Sequence, residues 1–121
     1  MTIANVLLVD DSRTELFHLS DVLAKRGFNV RTAENGDEAL RKLAEGKPDL
    51  ILMDVVMPGT NGYQLTRTIT RDPRYADVPV IMCTSKGQET DRVWGLRQGA
   101  RDYVVKPVDP EDLMAKIKAL G

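Results

Sequence analysis

Short apolar runs alternate with helical repeats along this chain, and few folds accommodate that order. The runs are Val6-Leu7-Leu8-Val9, Leu50-Ile51-Leu52-Met53, Val78 to Cys83, and a weaker Tyr103-Val104-Val105. The stretch from Phe28 to Ala33 alternates apolar with polar residues, which predicts a strand with one solvated face. Between the strands lie helical spacings. Leu16, Leu19 and Leu23 share a face, with Gly27 as the stop. Leu40 and Leu43 anchor a second helix ahead of Gly46 and Pro48. Leu65 and Ile69 anchor a third, closed by Asp72-Pro73. Val93 and Leu96 anchor a fourth, ended by Gly99. Asp109-Pro110-Glu111-Asp112 opens a fifth with a side-chain cap, a proline in the first turn and acids near the positive end of the dipole. Leu113, Ile117 and Leu120 then face the core.

Five strands alternating with five helices predict an α/β fold, a doubly wound parallel sheet with helices on both faces. The first and third runs are apolar throughout, as central strands covered on both sides must be. The alternating second run and the short fifth run read as edges. That assignment gives the flavodoxin-like strand order 2-1-3-4-5, with its switch point between the first and third strands. Ligands of such sheets bind beyond the carboxyl ends of the strands at that point.

The 121 residues carry no linker, low-complexity tract or repeat, so residues 1–121 are read as one domain with no output domain. Lys and Arg number 17 against 18 Asp and Glu, so the basic surplus of a sequence-independent nucleic-acid binder is missing. Cys83 is the one cysteine, which excludes an intramolecular disulfide and a thiolate metal cage. The start has no signal-like region, and no apolar run approaches the ~20 residues of a membrane span. The expectation is a cytoplasmic protein with neither nucleic acid nor membrane as partner.

The first strand runs into Asp10 and Asp11, and the third runs into Asp54. Three carboxylates thus converge on the switch-point crevice. They cannot all stay ionised at close range without a compensating cation, and oxygen-only ligands suit magnesium better than zinc. Strand-end turns and helix capping by Asp11 or Ser12 account for one such residue, not three. Thr84-Ser85 ends the fourth strand and Lys106-Pro107 the fifth. A carboxylate, a divalent cation, a hydroxyl and an ammonium at one rim form a clamp for a phosphoryl group. Asp54, alone between two hydrophobic stretches, is the expected nucleophile and would become an aspartyl phosphate.

The segments Val9-Asp10-Asp11-Ser12, Met53-Asp54, Met57-Pro58-Gly59-Thr60-Asn61-Gly62, Thr84-Ser85 and Gly99 through Pro107 closely resemble the response-regulator receiver family over essentially the whole chain. The resemblance implies that Asp54 accepts a phosphoryl group from a histidine kinase. It implies that Asp10 and Asp11 hold Mg²⁺ with Asp54, the carbonyl of Val56 completing the protein ligands. It further implies that Lys106 contacts the phosphoryl oxygens, that the Lys106-Pro107 bond is cis, and that Thr84 and Tyr103 form a switch pair. Val56 and Lys86 flank the expected path of attacking water, although Lys86 also reads as a solvated lysine at a helix start.

With no output domain expected, the signal would leave by protein contact through the fourth helix, fifth strand and fifth helix. The segment from Gln88 to Ala100 resembles single-domain regulators of type IV pilus twitching motility, a chemotaxis-like system. That resemblance implies a chemotaxis-type histidine kinase and a pilus or motility protein as partners, in a monomer that could dimerise on phosphorylation. Beyond phosphorylating and dephosphorylating itself, such a protein is not an enzyme. The alternatives are a phosphorelay intermediate or phosphate sink and, from another class, a magnesium-dependent phosphohydrolase. A flavodoxin-like cofactor binder lacks its phosphate loop after the first strand. His18, Cys83 and the basic group Arg67, Arg71 and Arg74 read as solvated or packing residues. Trp94 is expected half-buried, with a role as partner anchor left open.

Overall fold

A computed structural model describes residues 3–57, 59–85 and 89–120. The elements in chain order are β1 (Asn5–Val9), α1 (Arg13–Lys25), β2 (Asn29–Ala33), α2 (Gly36–Glu45), β3 (Leu50–Asp54), β4 (Val56–Met57), β5 (Thr60–Asn61), α3 (Gly62–Arg71), β6 (Val80–Thr84), α4 (Glu89–Arg97), β7 (Asp102–Val105) and α5 (Pro110–Leu120). The main sheet has the order β2-β1-β3-β6-β7, with every pair parallel. Counting only its own five strands, this is the order 2-1-3-4-5. The short pair β4–β5 forms a separate antiparallel hairpin between β3 and α3, which no periodicity in the sequence announces.

Alternate residues of each central strand serve opposite faces, as the period of two requires. Leu7, Val9, Ile51, Met53, Val80 and Met82 pack with Ala39 and Leu43 of α2 and Leu65 and Ile69 of α3. Val6, Leu8, Leu50, Leu52, Ile81 and Cys83 pack with Leu16, Leu19 and Leu23 of α1 and Leu113 and Ile117 of α5. The sheet is therefore covered on both faces. β2, at one edge, is exposed at Asn29, half-buried at Val30, Arg31 and Thr32, and buried at Ala33.

Three helical assignments shift. Leu40 is 40 % exposed, and the buried face of α2 is formed by Ala39 and Leu43 instead. Val93 and Leu96 seat α4 only in part: they stay 40 % and 38 % exposed, although Leu96 lines the small cavity under the helix. Among the residues of that helix whose burial is described, the buried one is Gly95, where a Cβ would lie 3.4 Å from Met82 and 3.5 Å from Tyr63. α4 thus approaches the sheet through an absent side chain, which hydrophobic spacing cannot register. Leu120 is only partly buried, packed against the α1–α5 core. The fourth main strand also starts later than the apolar run, at Val80, and takes in Thr84.

Local chemistry fixes the helix starts. Ser12 accepts from the Glu15 N–H, Asn35 from Glu38 and Asn61 from Tyr63. Among the described residues no helix is long and apolar enough to cross a membrane.

Candidate functional site

The sheet register brings the chemistry to one rim. β1 and β3 pair at Val9 and Met53, β3 and β6 at Asp54 and Cys83, and β6 and β7 at Thr84 and Val105. Asp10, Asp54, Thr84 and Lys106 therefore all stand at the carboxyl end of the sheet. Asp10 follows β1, donates its N–H to the Ala33 carbonyl at 3.0 Å and accepts the Ser12 N–H on Oδ1 at 2.9 Å. Those bonds orient its carboxylate, which is only 4 % exposed. Asp54 closes β3 and is 7 % exposed, whereas Asp11 faces solvent. Carboxylate oxygens of the three acids lie within 4.8 Å of one another. Ser12, not Asp11, caps α1.

Lys106 ties the group together. Its N–H donates to the Thr84 carbonyl at 2.7 Å, which fixes the chain just past β7. Its Nζ donates to Asp10 Oδ2 at 2.8 Å and to Asp54 Oδ1 at 2.9 Å. The Lys106–Pro107 peptide bond is cis. Burial alone would lower the lysine's pKa, but the two carboxylates overcome it and hold the ammonium above its ordinary value. Burial raises the Asp54 pKa; Lys106 opposes that rise, while Asp10 and Asp11 add to it. Cys83, wholly buried behind the site, is pushed up to about 12 by burial and stays a neutral thiol.

Among the described residues, one ammonium thus balances part of three negative charges. An all-oxygen donor set, with one acid facing water, fits a hard divalent cation that keeps part of its hydration. Val55 donates its N–H to the Cys83 carbonyl at 3.1 Å, and Val56 follows it into β4, paired with Asn61. Pro58, Lys86 and Gln88 lie outside the described residues.

Gly62, which ends the motif at residues 57–62, has a steric reason to be glycine. A Cβ on Gly62 would come within 2.2 Å of the Asp54 carbonyl oxygen and 2.9 Å of Val55 Cα. Its N–H donates to the Val55 carbonyl at 3.0 Å. The first turn of α3 is packed directly on the backbone that carries Asp54, and only glycine permits that contact.

Thr84 is buried, and Tyr103 is half-buried with its ring approached by Arg92 at 5.5 Å and Lys116 at 5.1 Å. Lys116 also donates to the Tyr103 carbonyl at 2.6 Å. Thr84 and Tyr103 line one cavity of about 10 Å³ between α4 and the sheet, together with Val55, Met82 and Gly95. His18 faces solvent on α1, outside the acidic cluster. Arg67 and Arg71 are exposed; Arg74 pairs with Asp72 at 2.7 Å and stacks on Tyr75. Trp94 is 51 % exposed and meets Tyr63 edge to face at 6.4 Å.

Comparison with known proteins follows the same geometry. Residues 6–118 match the response regulator receiver domain. The chain is 52% identical over 117 residues to Protein PilH of Pseudomonas aeruginosa, covering 97% of each. It is 40% identical over 115 residues to the phosphate regulon transcriptional regulatory protein PhoB of the same organism, covering 95% of this chain and 50% of PhoB. Chemotaxis protein CheY4 of Vibrio cholerae superposes with a TM-score of 0.92 at 32% identity, over 99% of this chain and 100% of that one. A CheY-like receiver domain protein from Methanospirillum hungatei gives 0.87 at 30% identity, over 98% and 93%.

Proposed function

The chain belongs to the response regulator receiver family of two-component signalling, and from that premise we propose that Asp54 is its phosphoacceptor, charged by a histidine kinase. The observation that carries this reading is the Lys106 ammonium bridging Asp10 and Asp54 inside a three-carboxylate cluster at the switch point. In the transfer, an Asp54 carboxylate oxygen forms a bond to phosphorus as the donor's phosphorus–nitrogen bond breaks, and the nitrogen lone pair returns to the kinase imidazole. Asp10, Asp11, Asp54 and the Val56 carbonyl would hold Mg²⁺, which supplies positive charge against the phosphoryl oxygens. Lys106 is already placed beside the acceptor, so its ammonium can follow the charge from carboxylate to phosphoryl oxygen. Loss of the group by attack of water is the only other chemistry the site requires.

Intact-mass measurement tests this directly. Incubation with magnesium and a small phosphodonor should add one phosphoryl group, which peptide mapping locates at Asp54. Chelation should suppress the gain. No gain under any condition, or a label elsewhere, overturns the assignment. Steady release of many equivalents of phosphate from a phosphate ester would instead favour a phosphohydrolase.

The output step rests on Thr84 and Tyr103. A phosphoryl group adds roughly −1.5 to −2 charges. Hydrogen bonds to such an acceptor contribute about 1.5–3 kcal/mol each, and a nearly complete two-state shift needs about 5.5 kcal/mol. Lys106 and the Thr84 hydroxyl together can supply it. The shared cavity is too small for a phenol ring, so Tyr103 can turn inward only if Thr84 moves and α4 shifts. α4 is suited to shift because it comes close to Met82 and Tyr63 at Gly95, while Val93 and Leu96 beside it stay partly exposed. Val93, Trp94, Leu96 and Val105 already present exposed apolar surface on α4 and the edge strand β7. We place the partner contact on α4, β7 and α5. Thr84→Ala should keep phosphoryl uptake yet lose most of the phosphorylation-dependent change in Trp94 fluorescence; a full change in the variant would rule this switch out.

Near end-to-end likeness to PilH supports a domain that acts alone in the cytoplasm through a chemotaxis-type kinase and a pilus or motility protein. A role as phosphorelay intermediate or phosphate sink uses the same site without the output face.

A further inference from the structure

A second concavity, of about 390 Å³, opens at the end of the sheet opposite Asp54. It is framed by the residues that lead into β1, β3, β6 and β7, together with the last turn of α5. Ile3, Val78 and Leu120 give it an apolar lining, and its volume lies within the range of small-molecule sites.

The charges around it are unequally satisfied. Lys47 and Asp77 pair with each other at 2.7 Å. The Asp49 Oδ2 accepts the N–H groups of Ala4 and Asn5 at 3.0 and 2.9 Å, which hold that carboxyl below its ordinary pKa. The Arg101 guanidinium also lines the cavity and has no ion-pair or hydrogen-bond partner among the described residues. The Arg101 main chain is fixed, its N–H donating to the Val80 carbonyl at 2.8 Å, so the side chain projects from a rigid strand entry. The recess mixes apolar with charged residues. With Lys47 and Asp77 paired to each other and Asp49 held by main-chain N–H groups, the Arg101 guanidinium is left to receive an anion with an apolar body, its planar fork matching a carboxylate.

We propose that this recess is a binding site for a compact organic carboxylate whose apolar part packs on Ile3, Val78 and Leu120 while its carboxylate pairs with Arg101. The site is independent of the phosphoacceptor and shares no residue with it. An isosteric probe series tests it: 3-phenylpropionate, 3-phenylpropanol and 3-phenylpropylamine, each titrated into the ¹⁵N-labelled full chain and followed by two-dimensional NMR. The carboxylate should give saturable shifts centred on the amides of Ile3, Asp49, Val78, Arg101 and Leu120, with Asp54 and Thr84 unmoved. Arg101→Gln, at an exposed position, should leave the rest of the spectrum intact and weaken binding about tenfold. Equal binding of the alcohol, tighter binding of the amine, unchanged affinity in Arg101→Gln, or no saturable shifts would each overturn the proposal.

Discussion

Asp54→Asn is expected to gain no phosphoryl mass and, in the absence of divalent metal, to be more stable than the parent chain. The first effect is all or none, because an amide oxygen cannot form the acyl phosphate that a carboxylate forms. The second follows from crowding. Asp54 is buried within reach of Asp10 and Asp11, and one ammonium cannot neutralise all three. Two like charges about 4 Å apart repel by about 4 kcal/mol at an effective dielectric near 20. Lys106 offsets much of this, so a gain of about 1–2 kcal/mol is expected in the variant. The amide oxygen still accepts from Lys106, so that hydrogen bond survives the change.

The pH dependence has a defined sign. The folded Asp54 carboxyl has a raised pKa, held there chiefly by burial. It therefore favours the folded state fully below its unfolded value of about 3.9 and loses that contribution as pH rises through the folded value. The advantage of Asp54→Asn should be near zero at the acid end and grow toward neutrality. Asp49 and Asp77 act oppositely: backbone N–H groups and Lys47 depress them, so their contribution is present above the unfolded value and lost on acidification. Those two are common to both chains and cancel in the difference. Adding magnesium should narrow or reverse the gap, since a ligand that binds the folded state stabilises the chain with three carboxylates more. Urea unfolding at several pH values, with and without magnesium, measures all of this; a variant less stable than the parent at neutral pH would refute the crowding argument.

What the sequence makes legible here is decided by distance along the chain. The main sheet and its order follow from apolar runs and their alternation, which are local signals with a period of two. The rim residues follow because each stands just past a strand or at its last position. Contacts between remote backbones leave no such trace. Val93 and Leu96 have helical spacing yet stay 40 % and 38 % exposed, because Gly95 is where α4 comes closest to Met82 and Tyr63. Leu40 is spaced like a core residue, but Ala39 occupies the inward position on a helix that lies close to the sheet. The β4–β5 hairpin has two residues a side, too short for any periodicity. The bridging position of Lys106 depends on a fold that joins residues 52 and 96 positions apart.

Gly62→Ala should be among the most destabilising single-methyl additions in the molecule, at about 3 kcal/mol or more. The added carbon would meet the Asp54 carbonyl oxygen at 2.2 Å, Val55 Cα at 2.9 Å and the Asp54 carbonyl carbon at 3.0 Å, all backbone atoms. No side-chain rotation relieves such a contact, so α3 must back away from β3. That movement would break the Gly62 N–H bond to the Val55 carbonyl and loosen Leu65 and Ile69 in the core. It would also displace the peptide that aims the Asp54 carboxylate at Lys106, so phosphoryl uptake should slow together with the loss of stability. Gly59→Ala is the matched control. Gly59 has φ of +69°, and a Cβ there meets nothing within 4 Å, so the cost is only the left-handed backbone penalty of about 1–2 kcal/mol. Denaturant unfolding of both variants separates the two causes. If Gly62→Ala costs no more than Gly59→Ala and leaves uptake unchanged, the close approach of α3 to the Asp54 backbone does not position the acceptor.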